Sequence, residues 1–92
     1  MIVRFRHRGL KWFWEEENPC GIKAEHVEKS GDILIHLNQA KKPEDINLIG
    51  YKLHPLKGDM AGYWSVTVRA NWRIIFRFEG GDVTDVELID YH

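Results

Sequence analysis

Three short stretches of this chain carry side chains able to move protons or grip an anion. His54-Pro55-Leu56-Lys57-Gly58-Asp59 sets an imidazole and an ammonium three residues apart, on a segment that Pro55 and Gly58 keep bent and exposed. Such a pair can exchange a proton and hold a phosphate; it serves equally as a polar loop before a strand. Arg73 stands between Trp72 and Ile74, so strand alternation turns it away from the apolar face. A guanidinium there binds phosphate in bidentate fashion, or pairs with an acid of the neighbouring strand. Arg77 opposite Asp85 suits that second role and is not a candidate. Asp90-Tyr91-His92 offers a carboxylate, a phenol ring and an imidazole in one span, and imidazole titrates near neutrality, where acid–base catalysis needs it.

Other chemistries lack their residues. His7, His26, His36, His54 and His92 are scattered, with no His-Glu-x-x-His run or other metal-ligand spacing, so no metal and no cofactor are expected. His26 and His36 read as exposed helix positions. Ser30 and Ser65 lack the setting of a nucleophilic serine, and Cys20 has no activating neighbour. Gly58 and Gly62 are not followed by the Lys-Ser/Thr of a phosphate-binding loop.

The elements that must position these groups follow from periodicity. Ile2 to Arg6 alternates, Val3 and Phe5 on one side and Arg4 and Arg6 on the other, which predicts a short strand. Gly9 to Glu17 predicts a helix with Leu10, Phe13 and Trp14 on one face, stopped by Asn18-Pro19. A second helix is expected from Ala24 to Ala40, with Val27, Leu34 and Leu37 as its stripe and Ile33 at the edge. Gly31 inside it marks a kink or a close helix contact. Tyr63 to Val68, Trp72 to Phe78 and Val83 to Ile89 are rich in β-branched and aromatic residues. A three-residue loop Arg69 to Asn71 pairs Val68 with Trp72, Val66 with Ile74 and Trp64 with Phe76, which keeps one face apolar; Asn71 would take the left-handed position. A three-residue loop Gly80 to Asp82 sets Phe76 against Val86 and Ile74 against Leu88. The expected architecture is α+β: an antiparallel-rich twisted sheet, two N-terminal helices on one face, and a charged concave face left open. That open face holds Arg73, Arg77, Asp85 and Glu87, with Tyr91 diagonal to Arg73.

Composition sets the outer bounds. The 92 residues are 43% hydrophobic with four tryptophans and 29% charged, which is the makeup of one folded domain over residues 1–92 rather than a disordered chain. A single cysteine forms no internal disulfide. Apolar runs are far shorter than the roughly 20 residues of a membrane span, and residues 1–8 lack the apolar stretch of a signal peptide, so a cytoplasmic protein without membrane contact is expected. Net charge is −1, but its distribution is uneven. Residues 1–14 sum to +4 through Arg4, Arg6, Arg8 and Lys11, residues 50–78 to +4, and residues 79–92 to −5. The basic blocks either form a patch for phosphates or pair with acids across the sheet.

Taken together, Tyr51-Lys52-Leu53-His54-Pro55-Leu56-Lys57-Gly58-Asp59, Gly62-Tyr63-Trp64-Ser65-Val66, Asn71-Trp72-Arg73-Ile74 and the final Asp90-Tyr91-His92 closely resemble the HigB toxins. These are a branch of the RelE-like toxins of bacterial toxin–antitoxin pairs. Phe5-Arg6-His7-Arg8-Gly9-Leu10 fits as well, and the resemblance spans essentially the whole chain. It implies a RelE-like fold and a ribosome-dependent mRNA endoribonuclease that needs no metal. It also implies partners: a HigA-type helix-turn-helix antitoxin, the ribosome with mRNA in its A site, and operator DNA only through the antitoxin. The residues the family uses fall here on His54, Lys57, Arg73, Asp90, Tyr91 and His92, with Arg4, Arg6, Arg8 and Lys11 toward ribosomal RNA. Two other readings keep the fold and change the job: a ParE-type toxin that inhibits gyrase by binding, and a non-catalytic toxin that acts only in operon autoregulation.

Overall fold

The computed structural model describes residues 1–91. Helix α1 (Arg8–Glu16) is capped by His7, whose Nδ1 accepts from the Leu10 N–H at 3.1 Å, and Glu17 closes it with a left-handed φ of 54°. Leu10 is fully buried, and Phe13 and Trp14 pack against the core beside it, as their spacing requires. Helix α2 (Ala24–Gln39) buries His26, Ser30, Ile33, Leu34 and Leu37. Its inward stripe is therefore rotated from the expected one. Ile33 lies at the centre, Val27 is only half-buried, and His26 is buried rather than exposed because its ring packs on Trp72 at 5.1 Å. His36 does stay exposed. Gly31 marks a close helix contact: a Cβ there would sit 3.4 Å from Phe13 Cζ.

Four antiparallel strands follow: β1 (His54–Pro55), β2 (Trp64–Arg69), β3 (Trp72–Glu79) and β4 (Asp82–Asp90), hydrogen-bonded in that order. Both helices and one sheet face share a core that includes Leu34, Leu37, Val66, Ile74, Phe76, Val86 and Leu88. Burial of such side chains, at about 25 cal/mol per Å² of apolar surface, is the main force holding so short a chain folded. The segment 1–6 is not a regular strand. It joins the outer edge of β4 through parallel bridges Ile2–Val83 and Phe5–Val86. Ile2 and Phe5, three residues apart, are the ones that pack on the core, and Val3 is exposed, so the simple alternation expected there is broken.

Register in the sheet interior is as expected: Trp64 opposes Phe76, Val66 opposes Ile74, and Ile74 opposes Leu88. The turns differ. Arg69 pairs with Trp72 around a two-residue turn in which Ala70, not Asn71, takes φ 51°, and a register shift between Thr67 and Arg69 makes Val68 the extra residue. Likewise Glu79 pairs with Asp82 around Gly80-Gly81, and a second shift leaves Asp85, at φ 52°, as an extra residue facing Phe76. Each bulge absorbs the one residue by which a tight turn would otherwise throw the apolar faces out of step.

The second sheet face is not simply open. Ile75 and Ile89 alternate onto it, and the segment after β1 folds over them, burying Leu56, Tyr63 and Ile75 with Met60 packed alongside. Apolar side chains on that face needed cover, and the bent His54–Asp59 stretch begins the segment that supplies it.

Candidate active site

Arg73 lies on this second face, paired in the ladder with Thr67 on one side and Ile89 on the other. Its Nη1 donates to Thr67 Oγ1, while its buried Nε finds no partner among the described residues. A guanidinium oriented through one nitrogen can present its remaining N–H groups to an anion. The Tyr91 N–H donates to the Asn71 carbonyl at 2.8 Å, so Tyr91 extends the β4 ladder one row past Arg73. Its ring belongs to the same face, on the diagonal, where neighbours stand about 7–8 Å apart. Tyr91 remains 40% exposed.

His54 reaches the same face through a different neighbour. It pairs with Ser65, which pairs with Ile75, so His54 sits two strands from β3 and one row along from Arg73. Strand spacing and rise put those two backbones about 12 Å apart. His54 is exposed and its Nδ1 lies 3.2 Å from the Lys52 carbonyl oxygen. Lys57 is exposed and follows the buried Leu56 in the chain. Asp90 pairs with Trp72, and alternation assigns it to the helix side at the end of the sheet, apart from Arg73 and Tyr91. His92 lies outside the described residues.

The basic N-terminal residues divide. Arg4 Nε contacts Asp85 Oδ1 at 3.3 Å, and Arg6 donates to the Tyr63 hydroxyl at 3.1 Å. Arg8 and Lys11 remain exposed on α1. Arg77 donates Nε and Nη2 to Asp85 Oδ2 at 3.0 and 2.8 Å, the cross-strand pair expected of it. That bond raises Arg77 further above its ordinary value, as the Tyr63 bond does for Arg6. His7 moves the other way: burial lowers it against the opposing pull of Glu87, in keeping with a ring that must stay neutral to accept from Leu10.

Two supporting residues escaped the sequence reading. Thr67 was legible in principle, since the pairing of Val66 with Ile74 places it opposite Arg73. Tyr63, which meets both Arg6 and the Arg77 guanidinium (5.8 Å from its ring), carried no local signal because its partners come from distant strands and the N-terminus.

Comparison with known proteins now bears on this arrangement. Residues 3–92 match the model of a family described as the RelE-like toxin of the type II toxin–antitoxin system HigB. The chain is 47% identical to the endoribonuclease HigB of Proteus vulgaris over 92 residues, the full length of both. Among solved structures it resembles a YoeB/ParE toxin from Agrobacterium tumefaciens (TM-score 0.58, 26% identity, 99% of this chain and 96% of that one). It also resembles a chain of the YoeB–YefM complex from Staphylococcus aureus (TM-score 0.63, 20% identity, 100% and 95%), a likeness of fold. Two helices on a four-stranded antiparallel sheet, with full-length agreement to the family model, place this chain among the HigB-like, RelE-like toxins of type II toxin–antitoxin systems.

Proposed function

We propose that this toxin is an endoribonuclease that cuts mRNA in the ribosomal A site, using the RNA's own 2′-hydroxyl as nucleophile. The full-length relative named an endoribonuclease supports the activity. The observation that carries the chemistry is Arg73: a half-buried guanidinium fixed by the Thr67 hydroxyl, on the sheet face that Tyr91 extends. In the reaction the 2′-oxygen bonds to phosphorus as its proton leaves to a base. The bond from phosphorus to the 5′-oxygen breaks, that oxygen takes a proton from an acid, and a 2′,3′-cyclic phosphate remains. Arg73 and Lys57 hold the charged phosphorane, and His54 and His92 share the two proton transfers. Tyr91 stacks on a base or positions the 2′-hydroxyl, while Asp90, on the helix side of the sheet, stands apart from the phosphate that Arg73 holds. The roughly 12 Å between the His54 and Arg73 backbones leaves room for a nucleotide between their side chains.

The ribosome supplies what a 92-residue chain lacks, an mRNA held in line for attack. Arg8 and Lys11, exposed on α1, face ribosomal RNA in this reading, while Arg4 and Arg6 keep part of their charge turned to Asp85 and Tyr63. As a toxin of a type II system the chain has an antitoxin partner. We assign that partner a helix-turn-helix domain that carries the complex to operator DNA, and we place the pair in the cytoplasm. Primer extension on ribosome-bound mRNA tests the whole. Arg73→Ala and His92→Ala should each cut about 10²–10³-fold more slowly with the melting temperature kept. A folded His92→Ala protein that cuts at full rate refutes the catalytic assignment. Loss of growth without truncated mRNA would favour gyrase inhibition.

A further inference from the structure

The structure assigns a role to Lys52 that no comparison supplies: we propose that its left-handed backbone aims its carbonyl at His54 and thereby makes Nε2 the atom through which His54 exchanges protons. This rests on the reading of the chain as a nuclease that uses His54.

Among the described residues four non-glycine residues have positive φ, and three have plain structural reasons. Glu17 ends a helix, Ala70 turns a hairpin, and Asp85 is a bulge in the β3–β4 ladder. Lys52, at φ 51°, precedes β1. Along β1 the Leu56 N–H donates to the Tyr63 carbonyl at 2.9 Å, and His54 pairs with Ser65. Continued without a break, that ladder would give the Thr67 N–H to the Lys52 carbonyl. Thr67 instead donates to Tyr51 at 2.7 Å. Lys52 is thus the extra residue of an edge bulge, and its carbonyl is released from the ladder. Two residues on, His54 Nδ1 lies 3.2 Å from that oxygen.

A carbonyl oxygen only accepts, so Nδ1 carries the hydrogen. In the neutral ring Nε2 is then bare; in the protonated ring Nδ1–H stays on the carbonyl and the exchangeable proton sits on Nε2. The same bulge fixes the backbone of Thr67, whose hydroxyl holds Arg73. One backbone irregularity therefore orders the imidazole and the guanidinium together. Lys52 acts here as a positioning residue, through its main chain.

The test has two parts. In the full-length chain labelled with ¹⁵N-histidine, with the His54→Gln spectrum identifying the resonance, neutral His54 should be the tautomer protonated on Nδ1. Protonation on Nε2 overturns the proposal, whatever the enzyme does. Lys52→Gly and Lys52→Val both remove the ammonium, but only glycine accepts the left-handed region without strain. Cutting of ribosome-bound mRNA should show kcat about tenfold lower for valine than for glycine at similar KM, the effect of one lost orienting hydrogen bond. Equal kcat for the two also overturns it. If the unsubstituted chain cuts no mRNA, the nuclease reading fails, and the tautomer measurement still decides the geometry.

Discussion

Thr67→Val tests whether Arg73 must be held in place, because it removes one hydroxyl and little else. Valine keeps the β-branched shape and the strand preference of threonine. What disappears is the acceptor for Arg73 Nη1. Hydrogen bonds to charged groups contribute about 1.5–3 kcal/mol, and the lower end applies here because Arg73 is only half-buried and water can replace the bond. In stability the exchange should cost about 1.5 kcal/mol, and each 1 kcal/mol lowers Tm by roughly 4–8 °C for a domain of this size. In catalysis the loss falls on the transition state, where a loosened guanidinium no longer meets the developing charge; about 1.4 kcal/mol there is tenfold in rate. Single-turnover cutting of ribosome-bound mRNA by primer extension measures it. In an Arg73→Ala background the same Thr67→Val change should have no further effect, since the group it positions is gone. Full activity for Thr67→Val, or an equal loss in both backgrounds, refutes the argument that Thr67 acts through Arg73.

Two predictions concern the scaffold. Burial lowers His7, so between its folded value and the ordinary value of about 6.5 the unfolded chain binds a proton that the folded chain does not. That contribution to stability is complete above about pH 6.5 and is lost as pH falls through the lowered folded value. Urea midpoints of His7→Asn, a cap that does not titrate, should lack this part of the pH dependence, and parallel curves for the two proteins would refute it. Gly9→Ala should destabilise by about 1–3 kcal/mol. Its Cβ would stand 2.4 Å from the Gly21 carbonyl oxygen, and backbone cannot swing aside. Thermal melting reads the loss; an unchanged Tm would mean α1 and the turn at Gly21 are looser than this contact requires.

Much of the fold was legible because local periodicity carries it. Leu10, Phe13 and Trp14 announced the buried face of α1, and the alternation of Val66, Ile74 and Phe76 settled which way Arg73 points. Arg77 was recognisable as a structural ion pair, although the ladder sets it opposite Thr84 rather than Asp85, and Asp85 answers it from the bulge. His26 was misjudged because a helix stripe read from apolar residues has no place for an imidazole, and only packing against Trp72 explains its burial. Phe5 packs on the core, but Ile2 and not Val3 joins it there, because segment 1–6 bends to follow the Asp85 bulge in its neighbour β4. The His54–Asp59 stretch looked like a free loop, yet its Leu56 helps close the second face, which makes that stretch firmer than its Pro and Gly content implied.

The sequence by itself determined the order of helices and strands, the apolar face of each, and the sharing of one sheet face by Arg73 and Tyr91. Those follow from the 3.6- and 2-residue repeats of side-chain direction, which are properties of neighbouring residues. Only the tertiary structure decided the one-residue slips at Lys52, Val68 and Asp85, the hydroxyl that holds Arg73, and the carbonyl that meets His54. A bulge is chosen by whether distant strands can bury their apolar faces together, and that balance depends on residues far apart in the chain.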